Sequence, residues 1–189
     1  SAIDQSLIFD ETSSITYFEE VLEMLLVRFE LPVLKRLIIS FDQPEQFEYW
    51  AQLYRASRES KELLAESQQL AFSLNAWIRD VLKKPVKLKK QIGFVPIYAH
   101  LCGQLELDVA EVLTAYTFTV LENQVLAAVK TVPLGQMSGQ RILWHVHGLI
   151  PEAIERALAL QDAELSSALP NYAMLSMAHE TQYSRLFRS

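Results

Sequence analysis

Apolar residues recur along this chain at helical spacing with few breaks. In YFEEVLEMLLVRFE, residues 17–30, the set Phe18, Val21, Leu22, Leu25, Leu26 and Phe29 follows the 3.6-residue turn, and Thr16 with Glu19 three places later forms a capping-box pattern ahead of it. The pattern predicts a first helix over about 16–30. Pro32 suits the first turn of a continuation through LPVLKRLIIS, and Phe41-Asp42-Gln43-Pro44 reads as a turn with Asp42 as the cap of the next helix. From Pro44 to Leu82 the spacing hardly breaks (Phe47, Trp50, Leu53, Tyr54, then Leu63, Leu64, Leu70, Leu74, Trp77, Ile78, Leu82), which predicts two helices meeting near residues 57–60. KKPVKLKKQIG, residues 83–93, is a surface loop by its proline and lysines, and GFVPIYAHLCGQLEL is a short buried helix with Pro96 in its first turn and Gly103 near its end.

The stretch from 108 to 150 organises the rest of the chain. In DVAEVLTAYTFTVLENQVLAAVK, residues 108–130, Asp108 is placed to cap and Glu111 comes three later, while Val112, Leu113, Tyr116, Phe118, Val120, Leu121, Val125, Leu126 and Val129 surround the axis. An apolar distribution of that kind predicts a central helix enclosed by others. Glu122, Asn123 and Gln124 interrupt the run short of the roughly 20 apolar residues that a bilayer span needs, so no membrane segment is expected. Pro133 then forces a bend, because it has no amide to donate and disfavours helix at Val132. In the helix after it, Gly135 and Gly139 mark a bare stripe that admits a neighbouring backbone, and Gln136 and Gln140 beside it are expected to bond to an adjacent helix or loop. Past Pro151, EAIERALAL continues after a kink. QDAELSSALPNYAM is a turn leading to a short helix from about Asn171, and SMAHETQYSRLFRS closes the chain with an end too short to bury Tyr183, Leu186 and Phe187 by itself.

Composition agrees with the pattern. Among 189 residues half are hydrophobic and only five are glycine, so the expected fold is a single all-α domain over 1–189, a helical bundle around the helix at about 108–130. A net charge of −6 argues against nucleic acid or an anionic membrane as partner, since both reward long-range positive potential. The mixed charges Arg55, Arg58, Glu59, Lys61, Glu62 and Glu66 read as a solvated face. One cysteine, Cys102, allows no internal disulfide, and the cytoplasm is the expected compartment.

Candidate chemistry is thin. His100 and Cys102, like His145 and His147, are two apart, and positions i and i+2 of a helix diverge too far to share a metal. A core cysteine and hydrogen-bonded histidines are expected, the alternative being a metal shared by His100 or Cys102 across a dimer interface. No phosphate loop, dinucleotide fingerprint, paired-cysteine motif, zinc-protease motif or serine elbow occurs. The residues by themselves describe a helical protein that binds other proteins and has no active site.

At the level of strings the chain resembles the urease accessory protein F family. SMAHETQYSRLFRS at the end, VKTVPLGQMSGQRIL at 129–143 and RALAL at 156–160 carry the likeness, and FELPVLKRL and RASRESKELL extend it more weakly. Family members usually open with a segment of the pattern LP-G-(F/Y)-(S/T)-(Y/W)-S-x-(G/A)-L-E. Ser1-Ala2-Ile3-Asp4 resembles only its last residues, so that segment is expected to be missing. The resemblance implies an all-helical, often dimeric cytosolic protein without enzymatic activity. It would bridge the D (or H) accessory protein and the nickel-dependent GTPase called G, in an assembly that uses GTP hydrolysis to deliver nickel to apo-urease. It also implies GTPase docking at Lys130, Gln136 and Gln140. A docking tail for the D/H protein over 180–189 is implied as well, with His179 and Glu180 at its root and Tyr183, Ser184, Arg185, Leu186, Phe187 and Arg188 within it. No tightly bound cofactor and no metal ligand are implied, nickel being cargo in transit. The alternatives are a metallochaperone that carries nickel in its own side chains, which four histidines and one cysteine make sparse, and a generic helical interaction module.

Overall fold

The computed structural model describes residues 7–58, 61–84 and 93–165, with residues 61–63 by their backbone alone. Among the described residues every regular element is helical. Helix α1 (Glu11–Glu20) starts earlier than the Thr16 pattern predicts. The Asp10 carboxylate accepts the Ser13 N–H at 2.8 Å and the Ser13 hydroxyl accepts the Asp10 N–H at 3.0 Å, a reciprocal cap that satisfies two first-turn amides. Nor does the helix stop at residue 30. It widens into a π-type segment, Val21–Glu30, and passes into α2 (Leu31–Ile39) with Glu30 and Leu31 still helical. The Leu31 N–H reaches back five residues to the Leu26 carbonyl. That wider turn stands where the Pro32 ring would otherwise crowd the carbonyl four residues behind it.

Helix α2 is the most enclosed element. Leu31, Pro32, Val33, Leu34, Leu37 and Ile38 are buried, and helices α3 (Pro44–Ala56), α5 (Phe94–Gln104), α6 (Val109–Thr131) and α8 (Ile150–Ala159) pack against it. Each such Leu or Ile contributes roughly 1.5–3 kcal/mol on burial, so this short helix anchors the bundle. The cap of α3 is Gln43, one place beyond the expected Asp42. It supplies no side-chain bond, but Pro44 occupies the first turn, where a missing N–H costs nothing. Helix α4 (Lys61–Trp77) runs into a second wide turn, Ile78–Leu82, closed by Lys83 in the left-handed conformation. Helix α5 lies on α2 and α4, and the Ser67 hydroxyl of α4 accepts the first α5 amide, that of Phe94, at 3.0 Å.

Asp108 caps α6 as expected, accepting the Glu111 N–H at 2.9 Å. The predicted enclosure holds on one side only. Val112, Leu113, Tyr116, Thr117, Leu121, Val125 and Ala128 are buried against α2, α7 (Gln136–Gly148) and α8, while Phe118 and Leu126 are on the open side among alanines and threonines. By length and composition α6 could cross a bilayer, yet its larger apolar side chains are spent mostly on this packing. The chain turns at Val132–Gly135, and α7 returns between α6 and α1. Of the predicted glycine stripe only Gly139 faces a neighbour: a Cβ there would lie 2.6 Å from Val129 Cγ2, whereas one on Gly135 would meet nothing. Helix α8 comes after a turn at Leu149. Its C-terminal end is held by α2, where Lys35 donates to the Leu158 carbonyl at 2.8 Å and Arg36 to the Leu160 carbonyl at 2.9 Å, cations at the end where the helix dipole favours them. The lysines between 85 and 92, the helix expected from Asn171 and the 180–189 tail with its root at His179 lie outside the described residues.

Candidate functional site

Lys130 in the last turn of α6 and Gln136 and Gln140 in the first turns of α7 flank the bend between the two helices, an edge of the bundle where all three are exposed. Among the described residues the two glutamines make no bond to a neighbouring helix, contrary to expectation. They face solvent because the stripe of α7 that turns inward is Gly139, Ile142, Leu143 and Val146. A second stripe is taken up by α1. Arg141 donates to both carboxylate oxygens of Glu11 at 2.7 and 2.6 Å, and His145 Nε2 lies 2.7 Å from Glu19. The hydrogen bonds from Arg141 hold the Glu11 carboxyl down to about 2. Farther along the same seam, Arg156 of α8 donates to Glu23 at 2.6 Å. Lys130 has no ion pair among the described residues, which leaves its ammonium available to another molecule.

Toward the other end of α6, about 21 Å along the helix from Lys130, is a polar cluster that the charge pattern of the sequence does not predict. Arg58, expected on a solvated face, is largely buried and donates to Glu30 at 2.5 Å, with Glu30 itself only 4% exposed. The Tyr116 hydroxyl donates to the other Glu30 oxygen, and the Tyr54 ring lies 4.3 Å beneath the guanidinium. Burial alone would lower the Arg58 pKa, but the Glu30 carboxylate more than reverses it and the guanidinium stays charged. Burial and the same carboxylate push the Tyr116 hydroxyl well above its ordinary range, so it remains a donor. The only signal in the sequence is a lone glutamate, Glu30, between the apolar runs of the first helix and LPVLKRL.

The histidines and the cysteine separate as helical geometry requires. His145 turns to α1, while His147 stacks on Phe118 of α6 at 4.0 Å. Cys102 is buried, and burial pushes its thiol up to about 11, far from the thiolate that metal binding uses. His100 is packed edge-on against Phe41 and Phe47. Burial lowers its pKa against the opposing effect of a hydrogen bond with the Phe41 backbone, and its Nδ1 has no partner among the described residues, so the expected hydrogen-bonded ring is satisfied only in part. Among the described residues no three His, Cys, Asp or Glu side chains stand together as a metal ion would need.

Comparison with known proteins adds the family. The model of the UreF family matches residues 8–147, which includes Lys130, Gln136 and Gln140 as well as Glu30, Arg58 and Tyr116. The urease accessory protein UreF of Nitrosospira multiformis is 39% identical over 197 residues, an alignment that covers 100% of this chain and 87% of the relative. Its counterpart in Nitrosococcus oceani is 37% identical, with 100% and 88% covered.

Proposed function

The chain belongs to the UreF family of urease accessory proteins, and from that premise we propose that within urease maturation it acts as a scaffold. It docks the G accessory GTPase on the edge formed by Lys130, Gln136 and Gln140, and the D/H accessory protein on its C-terminal tail. The complex so assembled supports GTP-dependent transfer of nickel, as cargo, to apo-urease in the cytoplasm. The chain performs no bond chemistry of its own and works as a homodimer. The observation that carries this reading is the edge at the α6–α7 bend, inside the matched family region, where a cation and two amides without partners among the described residues are offered on two helices.

Two variants test it. Lys130→Ala is expected to leave the fold and D/H binding intact, because one surface charge contributes only about 0–1 kcal/mol to stability. GTPase recruitment should weaken, most at low salt, where an unscreened rim charge steers association. Undiminished capture of the purified GTPase would remove Lys130 from the interface. The second variant ends the chain at His179. Tyr183, Leu186 and Phe187 supply anchors, and Arg185 and Arg188 supply charge-assisted donors, so the shortened chain should keep its helical circular dichroism and lose co-purification with the D/H protein. Binding retained without residues 180–189 would refute the docking role of the tail.

A further inference from the structure

One stripe of α7 has no partner among the described residues. Met137, Gln140 and Trp144 are spaced i, i+3, i+7 and stand on a common face, with Met137 69% and Trp144 85% exposed. The other faces of α7 are occupied, inward by Ile142, Leu143 and Val146 and sideways by the pairs of Arg141 and His145 with α1. The apolar surface carries over to α6, where Phe118, stacked on His147, is itself partly exposed and Leu126 stands open two turns further on. A tryptophan left almost wholly in water on a helix is the residue type that most often anchors a protein interface.

We propose that this stripe is the apolar centre of the GTPase-docking surface, and that it inserts Trp144 into an apolar socket rimmed with carboxylates on the partner. The inference rests on the proposed GTPase-docking role and gives it a centre. Charge complementarity specifies the rim. Helix α7 carries no Asp or Glu between Gln136 and Gly148, the available ammonium of Lys130 lies at one end of the surface, and Glu122 is the carboxylate at its margin. In a chain of net charge −6, a helix without carboxylates beside the ammonium of Lys130 repels an acidic partner less than the average surface does. Lys130, Gln136 and Gln140 then form the polar edge of the interface, and Trp144, Met137 and Leu126 its dry middle.

Titration of the purified G GTPase, loaded with GTP, against the full chain tests the proposal. Trp144→Gln is expected to weaken binding by about tenfold or more while the thermal midpoint stays put, since an exposed side chain contributes little to the fold. Trp144→Phe should recover part of the affinity, and rising salt should weaken binding by the wild type. If the wild type binds and Trp144→Gln binds equally well, the socket is refuted and the docking reading survives. If the wild type does not bind the GTPase at all, the docking reading fails and this inference with it. Sedimentation of the chain alone covers the remaining occupant: a wild-type dimer that Trp144→Gln converts to monomer, with GTPase binding unchanged, assigns the face to a second copy and overturns the proposal.

Discussion

Glu30→Ala is expected to cost about 3–5 kcal/mol of stability, because it leaves the Arg58 guanidinium buried without its counter-charge. Glu30 closes the wide helical segment, Arg58 lies just past the end of α3, and Tyr116 lies about a third of the way along α6, so one carboxylate ties three parts of the bundle at a single point. With the carboxylate gone, Tyr116 loses its acceptor as well, and Arg58, whose Nε already lacks a partner among the described residues, keeps the Tyr54 ring beneath it. For a domain of this size each 1 kcal/mol moves the thermal midpoint by about 2–4 °C, so the variant should melt roughly 10 °C lower. Replacing both charges by methionine is expected to cost far less than the two single losses together, since neither charge is then stranded. Urea unfolding of both single variants and the pair decides this: a Glu30→Ala loss below about 1 kcal/mol would show that water reaches Arg58 in place of the carboxylate.

Some of this architecture is legible in the sequence and some is not, for physical reasons tied to range. The Asp108 cap, the Pro133 bend and helix α5 are legible because each depends on residues within one or two turns. The start of α1 is easily misplaced because Asp10-x-x-Ser13 and Thr16-x-x-Glu19 satisfy the same local pattern, and only the first terminates a real backbone run. Arg58 reads as solvated because its neighbours in sequence are charged, while its true partner is 28 residues away and reaches it only through the packing of α3 on α2. On the docking edge, Lys130, Gln136 and Gln140 come from resemblance to the family. Trp144 escapes notice because a tryptophan at helical spacing is usually core, and nothing local distinguishes the face of α7 that α6 covers from the face it leaves bare.

The Gly103→Leu variant is expected to lose about 3 kcal/mol, the upper end of what overpacking ordinarily costs. A Cβ at position 103 would lie 2.6 Å from Phe41 Cδ1 and 2.7 Å from Phe41 Cβ, closer than real atoms approach, and nearer still to Cγ. The ring cannot simply swing away, since its own Cβ is among the clashing atoms and the ring is packed edge-on against His100. Relief therefore requires α5 to move from the turn after α2, which loosens packing that Val95, Ala99 and Leu101 provide on the most enclosed helix of the bundle. Against this stands a gain of roughly 0.8–1 kcal/mol in helix propensity from removing a glycine, too small to change the sign. Gly139→Leu should be milder, because the atom it meets is a terminal methyl of half-buried Val129, and Gly135→Ala should be neutral or slightly stabilising, with open space around it and φ of −64°. Thermal midpoints that rise from Gly103→Leu through Gly139→Leu to Gly135→Ala are the expected result; equal midpoints would mean that α5 slides on α2 without resistance and that the close approach at Phe41 does not position it.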